Sequence, residues 1–107
     1  MTERGQLTRD DSNFPIGWKY QNITLAAPTT TAIKSGAGVL HSITFNKPVA
    51  TGTVTLYDNT AGSGTVIGTI TIPASPLPMT LVYDVVFNTG LTVVTATAAS
   101  DITISYV

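Results

Sequence analysis

Met79-Thr80-Leu81-Val82-Tyr83-Asp84-Val85-Val86-Phe87 alternates with a period of two, placing Met79, Leu81, Tyr83, Val85 and Phe87 on one side. Successive side chains of a strand point to opposite faces, so this is the signature of a strand with one buried face. The same period recurs outward from it. Residues 101–106 align Ile102, Ile104 and Tyr106 against Asp101, Thr103 and Ser105. Residues 53–58 set Val54 and Leu56 opposite Thr53, Thr55 and Tyr57, and residues 66–72 set Val66, Ile70 and Ile72 against Thr69 and Thr71. In residues 38–46 the apolar set is Val39, Ile43 and Phe45, with His41 on the same face and Leu40 as the exception. Shorter strand candidates are residues 22–26, 30–34 and 90–97.

Turn chemistry separates these runs. Ser35-Gly36-Ala37-Gly38 precedes one strand and Asn46-Lys47-Pro48 follows it. Residues 58–64 form a loop, residues 73–78 a connection stiffened by three prolines, and Asn88-Thr89-Gly90 a hairpin turn with its glycine left-handed. No stretch shows a 3.6-residue period with capping residues, and the density of Thr and Val disfavours helices. The expectation is an all-β fold: a two-sheet antiparallel β-sandwich of seven or eight strands, jelly-roll or immunoglobulin-like, with an N-terminal arm.

The arm is read from a composition break. Of the eleven charged residues, six (Glu3, Arg4, Arg9, Asp10, Asp11 and Lys19) fall within residues 1–19, where no apolar period exists. Residues 1–19 are therefore expected to be the arm and residues 20–107 the β-sandwich domain. Around this boundary Phe14, Ile16, Trp18 and Tyr20 bring three aromatics, including the sole tryptophan, into a segment bracketed by Pro15 and Gly17. Aromatic residues dominate interface hot spots, which makes these four a candidate partner-docking arm. The competing reading is that Trp18 folds back to plug one end of the sandwich.

Charge limits the function classes. Only 10% of the 107 residues are charged, against about 25% in an average soluble domain. A surface tiled with Thr, Ser and Asn is easily desolvated, which suits a protein that works against other proteins. Net charge is −1, and five basic residues do not make the basic face that nucleic-acid binding needs, so no nucleic-acid partner is expected. Absence of cysteine excludes disulfides and thiolate metal sites. No apolar run is long enough for a membrane-spanning helix, and residues 1–6 lack a secretory h-region; the expectation is synthesis in the cytoplasm and no membrane partner.

Candidate chemistry is sparse. His41 is the one histidine, and within a strand it reads as a core or rim residue rather than a base. Asp58, Asp84 and Asp101 are each alone in their segments, Asp58 and Asp101 where strands meet turns. The Asp58-Asn59 loop lacks the acidic spacing of a calcium loop. Gly36-Ala37-Gly38 and Gly62-Ser63-Gly64 lack a phosphate-loop lysine, and Asn22-Ile23-Thr24 is a chance sequon. No catalytic residue, metal or cofactor is expected, and the chain is not expected to be an enzyme.

Three phrases, Ser35-Gly36-Ala37-Gly38-Val39-Leu40-His41-Ser42-Ile43, Val54-Thr55-Leu56-Tyr57-Asp58-Asn59 and Asp101-Ile102-Thr103-Ile104-Ser105-Tyr106, resemble small β-sandwich virion proteins of tailed bacteriophages, including capsid decoration (cement) proteins. The resemblance spans roughly residues 23–107 and leaves the arm uncovered. It implies a structural virion protein that stabilises the capsid exterior, with the major capsid protein or another virion protein as partner and a homo-oligomer, a trimer, as its form. Two alternatives stand beside it. One is another virion subunit, of head fibre, neck or tail. The other is a glycan- or receptor-binding module, which requires at least two aromatic rings exposed on one face, from Trp18, Tyr20, Tyr57 and Tyr83.

Overall fold

The computed structural model describes residues 17–24, 26–98 and 100–107. They form eight strands and no helix: β1 (Lys19–Ile23), β2 (Thr29–Ser35), β3 (Gly38–Lys47), β4 (Thr53–Asp58), β5 (Thr65–Thr71), β6 (Met79–Phe87), β7 (Gly90–Ala96) and β8 (Asp101–Tyr106). One sheet has the order β1-β8-β3-β6 and the other β2-β7-β4-β5, with every pairing antiparallel. Only β4 and β5 are both consecutive and paired; every other connection crosses between the sheets. An immunoglobulin order would pair several consecutive strands within a sheet. This strand order is a jelly roll, two four-stranded sheets wound together.

The core lies between the sheets. Leu40, Ile43, Phe45, Phe87, Ile102 and Ile104 come from the first sheet, and Val54, Leu56, Leu91 and Val93 from the second, all essentially inaccessible to water. Tyr83, Leu81 and Val85 pack against this cluster, as the period-two reading of β6 requires. At the edge shared by β5 and β6, the Tyr83 ring lies over Gly68, where any β-carbon would fall 2.8 Å from its hydroxyl oxygen.

β-Bulges interrupt the ladders of β2, between Ala32 and Lys34, and of β3 and β5, and in β3 and β5 they overturn the faces that alternation assigns. In β3 the register shifts between Leu40 and Ser42 against both neighbours. Leu40 therefore belongs to the buried face with Ile43 and Phe45, while Val39 pairs with exposed Val86, and His41 is the extra residue that resets the phase. The expected inward set of Val39, His41, Ile43 and Phe45 is corrected accordingly. In β5 the shift lies between the partners of Leu56 and Tyr57, leaving Ile67 unpaired. Ile67 packs against the core and Val66 is 50% exposed, so the expected inward place of Val66 is also corrected.

The Asn88-Thr89-Gly90 segment is not a hairpin, because β6 and β7 lie in different sheets and the left-handed glycines are Gly36 and Gly64. The Asp58 carboxylate organises it instead, accepting from the backbone N–H groups of Asn88 (3.0 Å) and Thr89 (2.8 Å). Gly90 is required by crowding: a β-carbon there would sit 2.9 Å from the Lys34 carbonyl oxygen. Beyond Asp58 the β4–β5 loop folds back over β7. The Thr92 hydroxyl donates to the Asn59 carbonyl at 2.8 Å, and Gly62 comes so near Val94 that its β-carbon would lie 2.7 Å from the Val94 methyl. The loop thus covers part of the outer face of the second sheet. The first sheet has no comparable cover among the described residues.

Candidate functional site

Strand register defines what the outer face of the first sheet presents, since cross-strand partners share a face. One row is Tyr20, Ser105, Ser42 and Val82; the next is Asn22, Thr103, Thr44 and Thr80. At the end beyond Tyr20, Val39 pairs with Val86 and exchanges backbone hydrogen bonds with Val107 (3.1 and 2.9 Å). The face is graded as a result. One end carries Trp18, Tyr20, Val39, Val82, Val86 and Val107, the other a lattice of hydroxyls and amides.

The apolar end is open to water. Tyr20 is 74% exposed, Val86 66%, Val82 64% and Trp18 38%. Large apolar groups contiguous on a sheet face mark an interaction surface, whereas scattered ones do not. The polar end is tied together: the Asn22 and Asn46 amides both donate to the Asp101 carboxylate (2.7 and 3.2 Å) and to the Thr103 hydroxyl (3.2 and 3.0 Å). Thr44 and Thr80 share a further hydrogen bond of 3.0 Å.

Between the valines sits a built cluster. His41 Nδ1 lies 2.5 Å from Asp84 Oδ1, and the His41 ring stacks on Trp18 with centroids 4.2 Å apart and planes 3° from parallel. The bulges bring these groups together. While β3 advances two residues from Leu40 to Ser42, β8 advances one, from Tyr106 to Ser105, and β6 three, from Val85 to Val82. The extra residue of β6 is accommodated with Asp84 in the left-handed region (φ 51°), which aspartate tolerates better than most residues. Sequence reasoning assigned His41 and Asp84 separately and without a site; the signal that joins them is the phase break at Leu40.

Of the predicted docking residues, Phe14 and Ile16 lie outside the described residues. Trp18 and Tyr20 lie on the outer face of the first sheet, and Lys19 already belongs to β1. Trp18 does not plug the sandwich, since it contacts His41 and is absent from the buried core. Among the tyrosines, Tyr83 and Tyr106 pack on the core and Tyr57 is half-buried in β4.

Two clefts lie elsewhere among the described residues. One of about 230 Å³ is lined by Phe45, Ile70, Ile72, Pro76, Met79 and Leu81, with no titratable side chain on its wall. The other, of about 300 Å³, is lined by Thr24, Lys47, Val49, Ser100 and Asp101. His41 and Asp84 face neither. Among the described residues no three metal-ligating side chains converge. Backbone donors hold the Asp58 carboxyl below the usual carboxylate range, those of Asn88 and Thr89 foremost, so Asp58 acts as a turn clamp.

No family model, curated protein or solved structure matches this chain.

Proposed function

We propose that the chain is a non-catalytic structural subunit that decorates and stabilises a bacteriophage capsid, docking through the apolar end of the β1-β8-β3-β6 face. The observation that carries this reading is the exposure of Trp18, Tyr20, Val82 and Val86 at one end of a sheet face that nothing else covers among the described residues. Burying such a patch supplies the hydrophobic free energy that a permanent attachment needs. A jelly roll supports the reading only as an analogy, because the fold occurs in capsid and lectin domains alike.

The test is sedimentation with heads assembled from the major capsid protein of the same genome. The wild-type chain is expected to co-sediment in fixed ratio and to protect the heads against heat. Tyr20→Lys combined with Val82→Glu is expected to fold normally, both sites being exposed, and to lose co-sedimentation by about 100-fold or more, as for a central hot spot. Wild-type chain left in the supernatant overturns the proposal. Light scattering on the free chain reads whether the trimer implied by the resemblance exists before docking.

One observation favours a second reading. Trp18 and Tyr20 satisfy the requirement for two exposed rings on one face, and Asn22, Asn46 and Asp101 supply hydrogen-bonding groups on the same face. A glycan would stack on Tyr20 and meet these groups. Saturating oligosaccharide binding that Tyr20→Ala abolishes, with no binding to heads, would favour this reading over decoration.

A further inference from the structure

We infer that Trp18, His41 and Asp84 form a proton-operated latch, which holds the Trp18 indole against the outer face at acid pH and releases it as pH rises. Three features of the structure meet at this point. His41 is the extra residue of the β3 bulge, Asp84 is the left-handed residue of the β6 bulge, and Trp18 lies flat on the imidazole. A bulge re-aims a side chain, and here two of them aim a base and a carboxylate at each other across adjacent strands.

The ring is a charge switch between two partners of complementary kind. When His41 carries a proton, the 2.5 Å contact to Asp84 becomes a charge-assisted hydrogen bond and the ring becomes a cation against the Trp18 π-face. When the ring is neutral, both attractions weaken together and Trp18 is held only by apolar contact. Among the described residues the other charged groups at this end are Lys19, which follows Trp18, and Lys34, whose ammonium reaches Gly38. From β8, Tyr106 packs on the core and Ser105 is uncharged, so no second carboxylate among the side chains of these neighbours competes for His41. Imidazole is the side-chain group whose charge ordinarily changes between pH 5 and 8.

Latching matters because β1 is a five-residue edge strand with one neighbour, β8. Short edge strands open locally at low cost. Holding Trp18 flat on the sheet adds its ring to the apolar end; freeing it removes that ring and exposes the indole. The latch itself is a property of the free chain. Its effect on docking rests on the docking surface proposed above.

The chain has one tryptophan and one histidine, so a titration reads this contact without interference. Acrylamide quenching of Trp18 fluorescence is measured from pH 5 to pH 8 on the full wild-type chain, Asp84→Asn and His41→Phe. Asparagine tolerates a left-handed backbone as aspartate does, so Asp84→Asn keeps the bulge and removes the charge. Wild type is expected to become about 2- to 5-fold more quenchable at pH 8 than at pH 5, given the size of exposed cation–π and ion-pair contacts. Asp84→Asn is expected to be quenchable at both pH values, and His41→Phe, whose ring carries no proton, to show the same quenching at both. If His41→Phe fails to fold, the indole N–H resonance of the wild type supplies the same titration. Wild-type quenching that is flat from pH 5 to 8, or an Asp84→Asn chain that keeps the wild-type response, overturns the latch. Neither result bears on whether the face binds heads, which the sedimentation assay decides separately.

Discussion

Asp58 shows how a single carboxylate fixes the meeting of three segments. It ends β4, begins the loop that folds back over β7, and accepts backbone hydrogen bonds from the β6–β7 connection. These donors lower its pKa in the folded chain, with Asn88 and Thr89 the largest causes. A depressed folded-state pKa means stability that is fully present above the unfolded carboxylate value and is lost as pH falls through the folded one. Asp58→Asn is therefore expected to unfold at lower temperature than wild type at pH 7. That gap should narrow as pH falls below about 4, where the unfolded carboxylate begins to bind protons. Thermal melts from pH 2 to 7 check this, and equal midpoints at pH 7 would refute the clamp. Sequence reasoning placed Asp58 at a turn but took it for an ordinary turn former. Its partners lie thirty residues away in another turn, and no local pattern encodes that distance.

At the scale of elements, alternation revealed most strands and failed at the bulges. β4, β6 and β8 turn inward the residues that a period of two selects, apart from Met79 at 41% exposure; the β6 bulge at Asp84 leaves the alternation of that strand intact. β3 and β5 each contain one residue that period two does not count, and every side chain before it exchanges faces. Leu40 therefore looked like an exception when it was the rule, and Val39 the reverse. The consequence is measurable. Leu40→Ala should cost about 3 kcal/mol, as a fully buried leucine does, while Val39→Thr should change stability by less than about 0.5 kcal/mol. In β5, Val66→Thr should be similarly silent, because Ile67 makes the core contact. Urea denaturation of the three variants decides it; a costly Val39→Thr would return β3 to the unbroken phase. The jelly-roll order itself was beyond reading, since alternation shows that a face is buried and not which strand lies beside it.

For the whole molecule, the decisive property is how little charge it carries. From residue 17 onward there are three lysines and three aspartates, and all three aspartates are engaged within the fold: Asp58 by backbone, Asp84 by His41 and Asp101 by two asparagines. The composition indicated a surface that is easily desolvated, but not which face would be left without cover by the rest of the fold. That depended on which sheet the β4–β5 loop shields, a tertiary outcome. With the loop over β7, the opposite sheet has no such cover among the described residues, where its apolar end holds one ion pair. Docking through such a face has no electrostatic steering to lose. Association that depends on exposed charges weakens steeply as the Debye length shrinks from about 10 Å at 0.1 M to about 3 Å at 1 M salt, whereas apolar burial does not. Binding to heads is accordingly expected to change by less than about 3-fold between 0.1 and 1 M sodium chloride at pH 7. Sulfate should strengthen it, because salts excluded from protein surfaces favour burial. A 10-fold or greater loss in sodium chloride, measured by the same sedimentation assay, would move the contact off the apolar end. The charged residues 1–19 and the Asp101 cluster would then be the places to look.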